Sequence, residues 1–350
     1  MASAVSERRI YIDRGLGETR GVVTLDGRPE RLIVRRDDDN LRLRLGARLI
    51  ARVASLEASL GTAFLDLGGG AEAILPFKPD ARPVRGQAIE IEIRGEPRRG
   101  KLAVARSLGP AEGSPRLVAD PADVAGELEA LVPGAKLVEG RAAREVADEA
   151  EAAALETIHA LPGGGEIAIE PTRALTAIDV DLSDRKGGDA KRLTRQANMA
   201  ALGAAARLLR LKGLGGIVVI DLVGRGHDGN ALMAAARAAF APDNPGVAIG
   251  PIGRFGTMEL SLPRRTQPLL ERLCRSDGQL SDRTLAQRLI RRLQAEGLAQ
   301  PGARLSAVCA PGVAAAASGL AELLANEIGA RFAITPNESY FRERLDVGAA

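Results

Sequence analysis

Residues 174–222 read ALTAIDVDLSDRKGGDAKRLTRQANMAALGAAARLLRLKGLGGIVVIDL, and three patterns follow one another in them. The alternation through Ala177-Ile178-Asp179-Val180-Asp181 predicts a strand with one buried face. Ala190–Leu211, rich in Ala, Leu and Arg at helical spacing, predicts a long helix, and Gly216–Leu222 predicts a continuously apolar strand. Strand, helix, strand in that order is a crossover that sets its two strands parallel, so a parallel sheet is expected here. Both strands end on carboxylates: Asp179 and Asp181 on the first, Asp221 on the second. Ligands of open α/β sheets sit outside the carboxyl ends of the strands. A hard cation such as Mg²⁺, with Mn²⁺ as a chemically similar substitute, takes oxygen ligands, keeps several waters and stabilises charge on a phosphodiester. Asp179 and Asp221 are its expected ligands, and Asp181 is expected to position a water. The competing reading is that these aspartates only end strands or cap helices.

Between the two strands, Asp184 and Asp189 are expected to cap the helix, whose Gly187-Gly188 entrance offers bare backbone N–H groups to a phosphate. Arg185, Lys186, Arg192 and Arg195 flank that entrance, either as a nucleic-acid grip or as a solvated basic face. Upstream, Arg9–Arg36 alternates short β-type runs with turns such as Leu25-Asp26-Gly27, a small antiparallel meander. Residues 41–107 hold evenly spaced short strands with Gly-rich turns, the pattern of a five-stranded barrel of the oligonucleotide-binding kind. Residues 108–130 carry Gly, Pro and Asp and read as a linker. Arg141–His159 predicts a helix closed by Leu161-Pro162-Gly163-Gly164-Gly165. Downstream, Asn230–Phe240 predicts a helix, GVAIGPI and GTMELSL predict strands, and Asp282–Gly297 and Ala314–Gly329 predict helices of a small α/β tail.

Composition bounds the rest. The 350 residues are 45% hydrophobic, enough for two or three domains with cores. Cys274 and Cys309 are too few and too far apart for a disulfide framework, so a reducing, cytoplasmic setting is expected. No apolar stretch is long enough for a signal h-region or a membrane span. Forty-eight basic against 45 acidic residues permit a polyanion partner without establishing one.

Taken together, LPGGGEIAIEPTRALTAIDVD, RKGGD, ARLLRLKGLGGIVVIDL and GRFGTMEL resemble the catalytic core of the ribonuclease E/ribonuclease G family. The likeness extends to the N-terminal strands, to ASLEASLGTAFLDLGGGAEAILPF as that family's S1 domain, and to the tail. It implies an α+β fold with an S1/OB-like β-barrel at 41–107 inserted in a small RNase H-like subdomain formed by 1–40 and 131–165. A DNase I-like catalytic subdomain at 166–272 and a small C-terminal domain at 280–350 then follow. It implies metal-dependent hydrolysis of single-stranded RNA to 5′-phosphate products, with metal aspartates at Asp179 and Asp221. It also implies RNA contacts at Phe64 and Lys101, although Phe64 also fits a barrel core.

Four departures qualify the resemblance. Asp181 stands where the family has an asparagine, and Ile74 replaces a second aromatic that the family sets beside Phe64. The family's zinc-binding Cys-x-x-Cys is Cys274-Arg275-Ser276-Asp277 here, a poor structural zinc site, so zinc is not expected. The domain that senses a 5′-monophosphate is reduced to residues 108–140, and the arginine that completes its pocket falls near Gly246. A homodimer through the catalytic module is compatible with all of this. The rival reading is a non-catalytic RNA-binding protein on the same scaffold, and a third is a nuclease acting on DNA. His159 and His227 are read as structural or solvated.

Overall fold

The computed structural model describes residues 7–182, 189–226 and 228–350. Three strands, β1 (Arg8–Gly15), β2 (Glu18–Leu25) and β3 (Arg28–Arg36), form the expected meander. Its β2–β3 turn has positive φ at both Asp26 and Gly27, the pair of left-handed residues that a tight hairpin matching strand twist requires.

Strands β4 (Arg48–Glu57), β5 (Thr62–Asp66), β6 (Glu72–Pro76), β7 (Ala88–Gly95) and β8 (Ala103–Pro110) close on themselves as a barrel. The pairing runs β4–β5–β6–β8–β7 and back to β4, with β6 and β8 parallel. Alternate residues Leu49, Ala51, Val53, Ala63, Leu65, Ile89, Ile91 and Ile93 fill it.

The stretch 108–130 is more than a linker. It finishes β8, adds β9 (Arg116–Ala119) to the outer side of β4, and begins α1 (Val124–Leu131), capped by Asp123. Val124 and Leu128 of α1 pack against Ile10, Ile12 and Val23 of the meander. After it, β10 (Leu137–Val138) joins β1 in parallel, and α2 (Arg141–Leu155) packs on β1, β2 and β3.

The second large sheet is built from β11 (Ile158–Ala160), β12 (Glu166–Pro171), β13 (Thr176–Asp181), β14 (Gly216–Asp221), β15 (Ala248–Ile252) and β16 (Thr257–Leu262). Its order is β11-β12-β13-β14-β16-β15. Contrary to the expected parallel sheet, only β13 and β14 are parallel. The crossover helix α3 (Ala190–Lys212) separates that pair, whereas short hairpins join β11–β12, β12–β13 and β15–β16 and make them antiparallel. Helices α3 and α4 (Gly229–Phe240) cover one face, with Ala197, Ala201, Leu202, Ala205 and Leu209 buried against Ile167, Ile178, Val218 and Ile220. The opposite face stays open, and Ile217 on it is 52% exposed.

The chain finishes with α5 (Leu269–Leu273), α6 (Asp282–Ala299), β17 (Leu305–Cys309), α7 (Pro311–Ile328), β18 (Phe332–Pro336) and β19 (Asp346–Ala349). The last three strands form a sheet against which α6 and α7 pack. Glu96, at the exit of β7, ties the barrel to the rest. Its carboxylate pairs with Arg35 at 2.8 Å and accepts from the Gln267 N–H at 3.0 Å, while its own N–H donates to Arg265 O at 2.8 Å. Among the described residues no helix is long and apolar enough to cross a membrane.

Candidate active site at the strand ends

Alternation in β13 buries Thr176, Ile178 and Val180 and leaves Asp179 and Asp181 exposed. In β14 it buries Val218 and Ile220 and leaves Asp221 exposed. The parallel register makes Asp179 and Asp221 direct partners. Adjacent strands lie ~4.8 Å apart, so two carboxylates stand side by side on the open face. Among the described residues neither makes an ion pair. Two uncompensated like charges so close favour a cation between them. Asp181 lies on the same face opposite Glu166 of β12, and Thr257 of β16 lies opposite Asp221. Among the described residues no three His, Cys, Asp or Glu side chains converge into a closed metal cage. Two adjacent carboxylates offer the oxygen ligands that a hard divalent cation takes.

The backbone after Asp221 is held from below. Asn198 of α3 is fully buried, donates from Nδ2 to Val223 O at 3.0 Å and accepts from Val223 N–H at 3.1 Å. A side-chain amide that satisfies one residue's N–H and C=O together fixes where β14 ends. Sequence reading missed this clamp, because an asparagine inside a helical pattern gives no sign of what it faces. Thr194 of the same helix packs against Gly224.

Asp189 caps α3 as expected, accepting from Lys191 N–H at 3.0 Å. Arg192 is exposed near that N-terminus. Arg195 pairs with Asp228, the cap of α4, at 3.6 Å. Asp184, Arg185, Lys186 and the glycines 187–188 lie outside the described residues, as does His227. On the other flank the turn between β15 and β16 brings up Arg254 and Phe255, which sequence reading also missed. Phe255 is 78% exposed and carries the Arg254 guanidinium 4.6 Å from its ring centre. Gly256 O accepts from Leu222 N–H at 3.2 Å, which fastens this turn beside the end of β14.

The Ribonuclease E/G family profile matches residues 139–265, which begin just before α2 and run to the end of the six-stranded sheet. This segment is similar to the ribonuclease E/G family. The chain is similar to Ribonuclease E of Haemophilus influenzae, 35% identical over 148 residues, 39% of this chain and 16% of that protein. With Ribonuclease E of Escherichia coli it shares 30% identity over 193 residues, 51% of this chain and 18% of that protein. The chain thus spans less than a fifth of either relative.

The ribonuclease E/G segment holds Asp179, Asp181, Asn198, Asp221 and Phe255, while Phe64 and Lys101 precede it. Phe64 is on the barrel's outer surface, 38% exposed, between buried Ala63 and Leu65, so it is not a barrel core residue. Its neighbours across the strands are Ile74 and then Val104, giving an apolar row where two rings were conceivable. Lys101 is exposed in the β7–β8 hairpin and shares a cleft with Arg173 and Thr176, at the start of β13. The structure therefore joins Asp179 to Asp221 and sets Lys101 at the opposite end of the same strands. Cys274 and Cys309 are both buried, and burial pushes both thiols up, so neither presents a ready thiolate. His159 is pushed down by burial and by Lys212, with Nε2 lacking a partner among the described residues.

Proposed function

We propose that this chain is a metal-dependent endoribonuclease that hydrolyses single-stranded RNA and leaves 5′-phosphate products, in RNA processing or decay. The observation that carries the reading is the in-register pair Asp179–Asp221, without an ion pair among the described residues, on the open face at the strand ends, inside the segment that matches the ribonuclease E/G family. Asp179 and Asp221 would hold a divalent cation, Mg²⁺ or Mn²⁺, which supplies Lewis-acid stabilisation of the charge that develops on the phosphodiester. Asp181, two residues beyond Asp179 on the same face, would orient the attacking water and accept its proton. Asn198 fixes the backbone at Val223, two residues after Asp221. Phe255 offers a stacking face for a base and Arg254 a cation for a phosphate beside the cut. Phe64 on the barrel and Arg192 on α3 are further contacts for the strand.

The test is a cleavage assay on labelled single-stranded RNA with Mg²⁺ or with chelator, using the parent chain and Asp179→Asn and Asp221→Asn. Both variants are expected to lose cleavage and keep RNA binding nearly intact, because the backbone grip comes from other residues. Cleavage by either at close to the parent rate overturns the assignment. RNA binding by the parent without any cleavage would favour a non-catalytic RNA-binding protein.

A further inference from the structure

A cleft of about 700 Å³ opens at the far end of β13 and β14 from the aspartates, between the barrel's β7–β8 hairpin and the six-stranded sheet. Six cations line it, Arg98, Arg99, Lys101, Arg173, Arg264 and Arg275, against one carboxylate, Glu271. Arg275 is paired with Asp277 at 2.7 Å. Among the described residues the other five make no ion pair, and Glu271 accepts instead from the backbone N–H of Arg99. Elsewhere the protein neutralises its arginines closely, as Arg20, Arg35, Arg36, Arg210 and Arg291 illustrate. An uncompensated basic cleft in such a molecule concentrates anions.

The cations are also held in place. Arg98 and Lys101 bracket a tight turn closed by reciprocal backbone hydrogen bonds of 3.2 and 2.8 Å. Arg173 sits at the tip of the β12–β13 turn, where Thr172 bonds Leu175 O through both its N–H, at 2.8 Å, and its hydroxyl, at 2.7 Å. Arg264 lies over Gly216, at φ +92°, where any side chain would collide with the guanidinium, and its Nε donates to Gly215 O at 3.1 Å. Burial and the neighbouring Arg264 push Arg98 down, against an opposing pull from Glu271.

We propose that this cleft is a second RNA site, a track for internal backbone phosphates of the single strand some nucleotides away from the cut. The inference rests on the nuclease reading for RNA being the polyanion. The distance fits: Asp179 is three residues beyond Thr176 along β13, ~10 Å at strand rise. A strand crossing the open face can be gripped at one end and cut at the other.

The experiment measures binding by the full chain carrying Asp179→Asn, in chelator, to labelled single-stranded RNA of about 16 nucleotides across a salt series. Adding Arg98→Gln, Arg173→Gln and Arg264→Gln should lower the salt slope by about 2, since each phosphate contact on a single strand contributes about 0.7. Affinity at low salt should fall at least about tenfold with it. Removing three exposed arginines elsewhere, Arg141, Arg237 and Arg304, should leave the slope within about 0.5 of the parent's. If the triple variant does not fold, Arg173→Gln alone should lower the slope by about 0.7. Oligonucleotides with 5′-hydroxyl and 5′-monophosphate should lose affinity equally. A loss confined to the monophosphate would make the cleft a terminal-phosphate pocket and overturn the track. An unchanged slope overturns it as well and leaves the nuclease reading standing. A lowered slope alongside undiminished cleavage by a chain carrying Asp179→Asn alone would sink the metal assignment and keep the cleft.

Discussion

Asn198 has no charge and is fully buried, yet its amide fixes both backbone groups of Val223 two residues after Asp221. Asn198→Ala would leave that N–H and C=O without their buried partner, a cost of about 1–3 kcal/mol in unfolding free energy. The more telling outcome is kinetic. Assayed well below its melting temperature, the variant should lose turnover while its RNA affinity in chelator stays near the parent's, because a misplaced carboxylate harms the reacting geometry and not the grip. Turnover unchanged in a folded variant would reduce the clamp to a packing detail. The aspartates themselves were legible in sequence, since strand alternation assigns them to one face. Asn198, Glu166 and Phe255 were not, because their importance lies in what other segments place beside them.

At the scale of elements, α2 and α6 are joined to the meander by buried charges. Arg20 reaches Asp13 at 2.6 Å, Asp148 at 2.7 Å and Glu151 at 3.1 Å. Glu151 also meets Arg288 at 2.8 Å and Arg291 at 3.4 Å, and Glu18 meets Arg36 at 2.7 Å and Arg291 at 2.6 Å. Burial alone would raise the Glu151 carboxyl, but Arg291, Arg288 and Arg20 outweigh it and hold the group below its ordinary 4.5. A depressed carboxyl contributes stability that is complete above the unfolded value and is lost as pH falls through the folded one. Glu151→Ala should therefore destabilise the protein by about 3–5 kcal/mol near neutral pH. Urea titrations of parent and variant should converge as pH falls below about 4.5, the unfolded value. A gap that stays constant with pH would assign the loss to packing alone.

The misread stretch 108–130 belongs to this scale too. A four-residue strand and an eight-residue helix are too short to announce themselves by periodicity, and isolated helices of that length are marginal in water. They form because β4 offers an unpaired edge to β9 and the meander offers an apolar face to α1.

For the molecule as a whole, the proposed nuclease reading ties substrate choice to what stands between the barrel and the six-stranded sheet. A pocket for a terminal monophosphate needs several donors converging on one dianion. From Pro110 to Glu139 only Arg116 and Lys136 are basic, and Arg116 donates to Ser114 O. Gly246, just before β15, brings no side chain. Cleavage of otherwise identical oligonucleotides bearing 5′-hydroxyl, 5′-monophosphate or 5′-triphosphate should proceed at rates within about twofold at fixed salt. A strong phosphate contact is worth about tenfold, so a preference of that size for the monophosphate would reveal a sensor assembled from other residues.

By itself the sequence determined the closed five-stranded barrel, the crossover through α3 and the two aspartate-terminated strands. Each of these is written in local patterns, alternation for half-buried strands, helical spacing for α3 and continuous apolarity for β14. Only the tertiary structure decided that Asp179 and Asp221 stand in one register, because register depends on how α3 spans the sheet and not on either strand. It alone decided that Phe64 faces outward, that the other pairs in the six-stranded sheet are antiparallel, and that arginines distant in sequence meet at the far end of that sheet. Charge carries no periodicity of its own, so arginines from hairpin, turn and loop become one cleft only when packing brings them together.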